Sequence, residues 1–81
     1  MTTEQQPSME TRNSLPNGAS ILRRVLVGEN RWIVLCTWPK GKGHEYITWA
    51  TDETGAAYHG RYFSDFAPAD LDFARRVMRG F

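Results

Sequence analysis

From Trp32 to Trp38 the chain reads Trp-Ile-Val-Leu-Cys-Thr-Trp, with apolar side chains at both odd and even positions. Successive side chains of an extended strand face opposite ways. A strand of this composition needs cover on both sides, so any fold the chain adopts must place a layer above it and a layer below it. That demand is severe for 81 residues, which suffice for one core.

The surrounding sequence supplies strand partners. β-Branched and aromatic residues dominate 20–63 in short runs separated by turn chemistry. The first run is Ile21–Val27, followed by the hairpin signal Gly28-Glu29-Asn30. The second is Arg31–Trp38, which Pro39-Lys40-Gly41-Lys42-Gly43 is expected to break. The third is His44–Thr51. Asp52-Glu53-Thr54-Gly55 then reads as a turn with Gly55 in the left-handed position, ahead of the fourth run, Ala56–Phe63.

The period changes after Ser64. Ser64-Asp65 offers an N-cap region and Ala67-Pro68-Ala69 a first helical turn. Leu71, Ala74, Val77 and Met78, with Phe73 at the margin, recur at spacings of three and four and predict the buried stripe. Asp70 and Asp72 early and Arg75, Arg76 and Arg79 late match the helix dipole, and Gly80 suits the C-cap. The expected architecture is α+β: a four-stranded antiparallel β-meander followed by one C-terminal α-helix packed on one sheet face, in the order β-β-β-β-α. Residues 19–81 form the expected domain. Residues 1–18, with few apolar side chains and two prolines, are expected to be a disordered or extended arm ended by a turn at Pro16-Asn17-Gly18.

A helix of about twelve residues is roughly 18 Å long and about 10 Å wide, so it covers one face of four strands spaced ~4.8 Å apart and leaves the other. The candidates for that second face are the N-terminal arm, a second copy of the chain, or a ligand. A simple two-residue hairpin at Glu29 groups Arg23 with Trp32, Val34, Cys36 and Trp38. A three-residue loop Glu53-Thr54-Gly55 groups Tyr46 and Thr48 with Tyr58 and Tyr62, opposite Ile47, Trp49, His59, Arg61 and Phe63; this register puts His44 and His59 on opposite faces.

Trp and Tyr are enriched where proteins meet partners. Arg23, Trp32, Trp38, Tyr46, Tyr58 and Tyr62 are therefore the candidate partner-binding residues, against the ordinary alternative that they fill the core of a small domain. His59, Arg61, Lys40 and Lys42 are candidate contacts for a ligand or nucleic acid, with Gly60 leaving a gap for close approach. Each histidine also reads as a plain strand residue, and Gly41-Lys42-Gly43 lacks the flanks of a nucleotide loop.

No catalytic or metal motif is present, so neither an enzyme nor a cofactor is expected. The lone Cys36 sits in an apolar run and reads as a small buried hydrophobe; without a signal segment, a reducing cytoplasm is expected. No apolar run of about 18 residues exists to cross a membrane. Charge is nearly balanced, at +1. The leading expectation is a small non-enzymatic interaction module of phage or bacterial style. It would be an inhibitor, an adaptor or a homodimer acting through the aromatic sheet face on another protein or a second copy. The alternative is a single-stranded nucleic-acid binder, since arginines interleave with aromatics on the strands. The strand and helix order is similar in topology to that of the whirly-like single-stranded-DNA-binding proteins, but no residue motif is shared and no site follows from it.

Overall fold

The computed structural model describes residues 8–81; the part of the expected arm spanning 1–7 lies outside them. Four antiparallel strands form one open sheet in the order β1-β2-β3-β4: β1 (Ser20–Gly28), β2 (Arg31–Lys40), β3 (Gly43–Thr51) and β4 (Ala57–Phe63). A single helix, α1 (Phe66–Arg79), follows and lies over β2, β3 and β4. No helix among the described residues is long and apolar enough to cross a membrane.

The sheet carries two cores, one on each face, as the two-sided composition of β2 requires. Ile33, Leu35, Ala50, Ala69 and Phe73 form the core beneath α1, with Val27, Tyr46, Phe63 and Val77 at its margin. Trp32, Val34, Cys36, Ile47 and Trp49 form the core on the other face. Of the three candidates for that second face, the N-terminal arm occupies it: Met9, Leu15 and Ala19 are fully buried there. Few apolar groups are needed because the arm is tied down by polar bonds. Residues 8–12 make one turn, Leu15 N–H donates to Ala19 C=O at 2.9 Å, and Ile21 N–H donates to Asn13 C=O at 2.9 Å. Arg24, projecting from β1, donates to the carbonyls of Met9 and Arg12. Arg12 donates to Thr54 C=O at 2.9 Å, fastening the arm to the turn before β4.

The register differs from simple pairing at three places. β1 bulges between Ile21 and Arg23 and again between Leu26 and Gly28, and β4 carries an extra residue opposite Trp49. A bulge sends every later side chain to the other face. Arg23 therefore pairs with Leu35 on the helix face, not with Trp32 and Trp38 as expected. The loop Glu53-Thr54-Gly55 forms as expected, Asp52 N–H donating to Ala56 C=O at 3.3 Å with Gly55 at φ 89°. The β4 bulge then splits the tyrosines: Tyr46 and Tyr58 lie on the helix face and Tyr62 on the arm face.

Two further expectations are corrected. Pro39 does not end β2 but pairs with His44 inside the β2–β3 ladder. It is tolerated because β1 pairing stops at Thr37, so β2 is there an edge on its other side and no donor is missed. The helix is also rotated from its expected stripe. Ala69, Phe73 and Arg76 face the sheet, while Leu71 and Met78 are exposed. Asp70 and Asp72 lie beyond the first turn and serve ion pairs rather than the dipole.

Cys36 is buried beneath the arm, and desolvation pushes its thiol up to about 12 from 9.0. At pH 8 the thiolate is then about one part in ten thousand. Thiol-specific reagents are expected to react at the rate of unfolding. The raised folded value favours the neutral thiol, so this contribution to stability is complete below about pH 9 and declines as pH climbs from 9 toward 12. Rapid labelling at pH 8 without denaturant would contradict this burial.

Candidate functional site

The six candidate partner residues do not converge on one surface. Trp32 is buried beside the arm. Trp38 is half-buried, packs edge-on against Trp49 at 5.5 Å, and donates its indole N–H to Glu45 Oε1 at 2.9 Å. Tyr62 continues that row, edge-on to Trp49 at 6.1 Å. On the opposite face Tyr46 packs edge-on to Phe66, while Arg23 pairs with Asp70 at 3.0 Å and sits over the Phe66 ring. Tyr58, also on that face, is exposed.

The four ligand candidates are split too. Lys40 is paired with Glu45 Oε2 at 3.0 Å, and Lys42 sits at the exposed tip of the β2–β3 hairpin. The Trp38 indole and the Lys40 ammonium together hold the Glu45 carboxyl below its usual range. His44 and His59 stand at positions about 17 Å apart along β3, so they do not act as a pair.

His59 and Arg61, by contrast, belong to a cleft of about 510 Å³ between β4 and the C-terminal end of α1, lined also by Arg31, Tyr58, Arg76, Arg79 and Phe81. Its architecture starts with the β4 bulge. His59 adopts φ 56°, a left-handed conformation uncommon for a residue with a side chain. This turns its carbonyl inward, where it accepts from Arg76 Nη1 at 2.8 Å. The same nitrogen donates to Thr48 C=O at 3.1 Å and to Thr48 Oγ1 at 3.2 Å. Thr48 in turn donates to Asp72 Oδ2 at 2.6 Å, and Asp72 Oδ1 accepts from Arg61 Nη1 at 3.0 Å.

Arg76 is thus a buried cation, 3% exposed, with its guanidinium fixed. Burial pulls its pKa down and Asp72 opposes that shift; it remains a cation at neutral pH. Four guanidiniums line the cleft, and among the described residues no carboxylate side chain lines it; Asp72 pairs with Arg61 at 3.0 Å. Arg79 also lies over the Phe81 ring at 5.3 Å. A locally positive cleft with exposed rings suits an anion that carries an aromatic group. Arg31, Arg76 and Arg79 escape sequence reasoning. The last two read as the basic end of a helix matched to its dipole, and nothing in the sequence joins residue 31 to residue 76.

The gap expected at Gly60 is filled. A Cβ there would run into the Trp49 indole, 2.8 Å from Cδ1, and would lie 3.2 Å from Tyr62 Cε1. Gly60 therefore serves the packing of Trp49 rather than a ligand. Gly60→Ala is expected to destabilise by about 2 kcal/mol, since a buried indole cannot yield without opening the arm-side core. Urea denaturation checks this, and an unchanged midpoint would show that the indole relocates freely.

No protein-family model matches the sequence, and comparison with curated proteins and with solved structures yields no match either.

Proposed function

We propose that the chain is a small binding module without catalytic chemistry, whose working surface is the arginine-lined cleft and whose ligand is single-stranded nucleic acid. The observation that carries this is the fixed guanidinium of Arg76 in a cleft flanked by Arg31 and Arg79 and by the rings of Tyr58 and Phe81. Cations follow phosphates while bases stack on rings, which is the combination single strands require. A cytoplasmic setting belongs to the same proposal, resting on a sequence whose single cysteine, Cys36, builds no disulfide framework.

Anisotropy of a labelled oligonucleotide tests it; the tryptophans line the opposite face and are not the probe. Binding at 50 mM salt should weaken roughly tenfold at 200 mM, as for two to three phosphate contacts on a single strand. Arg31→Ser with Arg79→Ser should weaken it further, since neither arginine makes an ion pair among the described residues. No binding at low salt rejects the proposal.

A protein partner or a second copy remains a second reading on one observation, the row Trp38, Trp49 and Tyr62, which ends in a tyrosine 54% exposed. A partner on the rest of that face would have to displace Met9 and Leu15. Light scattering showing a dimer that Tyr62→Ala dissociates would favour it; a monomer at all concentrations removes the homodimer.

A further inference from the structure

The cleft differs from a groove that merely tracks a strand. At about 510 Å³ it has the dimensions of a small-ligand pocket. Its charged floor is also immobile. Arg76 Nη1 is held by three oxygens from two strands, and its Nε is buried without a hydrogen-bond partner. No bond to Nη2 exists among the described residues, so this end of the fork remains free where Arg76 lines the cleft. A guanidinium oriented before binding loses little freedom on meeting a phosphate and offers directed N–H groups. The positive φ of His59 is part of this arrangement, because the inward carbonyl is one of the three oxygens that hold Arg76. Around that floor stand Arg31 and Arg79, in no ion pair among the described residues, and two exposed rings, Tyr58 and Phe81.

We propose that the cleft is a one-nucleotide subsite, which seats a single phosphate on the Arg76 guanidinium between Arg31 and Arg79 and stacks the attached base against Tyr58 and Phe81. This rests on the nucleic-acid reading above and adds that recognition is of one unit, phosphate and base together. The free unit should therefore bind without the rest of the strand.

Amide chemical-shift titrations of the full chain test this with adenosine 5′-monophosphate, adenosine and inorganic phosphate as probes. Adenosine 5′-monophosphate should move the resonances of Gly60, Arg76, Arg79 and Phe81 and compete with the labelled oligonucleotide. Inorganic phosphate, which lacks the base and so both stacking contacts, should bind at least about tenfold more weakly, and the monophosphate should bind Tyr58→Ala with a smaller loss, from removal of one of the two rings. Arg79→Ser should weaken it as well; both variants leave the Arg76 network intact. If the oligonucleotide binds but saturating monophosphate neither shifts these resonances nor competes, the subsite is refuted and the nucleic-acid reading stands. If the monophosphate binds at the cleft and the oligonucleotide does not, the subsite holds and the single-strand reading fails. Equal affinity for inorganic phosphate and the monophosphate refutes the base contact and with it the one-nucleotide assignment.

Discussion

Replacing Met9 and Leu15 together by serine is expected to leave the chain without a cooperative native state at 25 °C. Both side chains are fully buried against Trp32, Val34, Cys36, Ile47 and Trp49. Removing a buried Leu or Met side chain typically costs about 2–5 kcal/mol, from lost transfer energy and the cavity left behind. A chain of 81 residues has roughly 4–12 kcal/mol of stability in total. Two such losses on one strap, some 4–8 kcal/mol with allowance for coupling between neighbours, consume most or all of it. The geometry sharpens the expectation. α1 lies over the opposite face, so nothing else in the described chain can cover this one. The exposed layer would bind a hydrophobic dye and associate. Urea unfolding, near-ultraviolet dichroism of the tryptophans and dye binding check it together. A loss below about 1 kcal/mol would show that the arm is an accessory and that the sheet stands without it.

That strap marks the boundary of what the sequence makes legible. The apolar doubling of Trp32–Trp38 and the shift from strand to helical period near Ser64 reveal the element order and the need for two layers. They do not reveal which segment forms the second layer. The arm has too few apolar groups to announce itself, and it is held by Arg12 and Arg24 bonds to backbone carbonyls, which composition does not register. Side-chain parity is legible only until the first bulge. Leu22, Val27 and the His59-Gly60 pair shift three registers, and among them only Gly60 carries a compositional hint. Arg23 and Tyr62 consequently sit on faces opposite to those that simple pairing assigns. The helix stripe fails for another reason. Arginine is ordinarily turned to solvent, and here Arg76 is turned inward, rotating Leu71 and Met78 outward. Of the cleft, His59 and Arg61 are within reach of sequence reasoning because they flank a glycine on a strand. Their partners come from β2 and the helix end, which only the folded chain brings together.

Arg76 is the second position where a large effect is expected, and its variants separate structure from binding. Arg76→Ala removes the donor for Thr48 C=O, Thr48 Oγ1 and the His59 carbonyl. It also leaves the Asp72 carboxylate with the Arg61 guanidinium and the Thr48 hydroxyl as its partners. Breaking a buried charged network from one side costs about 3–5 kcal/mol, and at roughly 4–8 °C per kcal/mol for a domain of this size the melting temperature should fall by about 12–40 °C. Arg76→Met preserves length and apolar packing but still strands the three acceptors, so it should recover only a part of that loss. Arg76→Lys supplies a charge and donors from a single nitrogen. It can serve the sheet carbonyls or point into the cleft, but not both, because it lacks the planar fork. The lysine variant should therefore fold, within about 1–2 kcal/mol of the parent, and yet bind oligonucleotide much more weakly. Thermal melts beside anisotropy titrations distinguish the two roles. A lysine variant that binds as tightly as the parent would show that charge alone suffices at the cleft floor, and an alanine variant of unchanged stability would show that the His59 bulge is held by something other than Arg76.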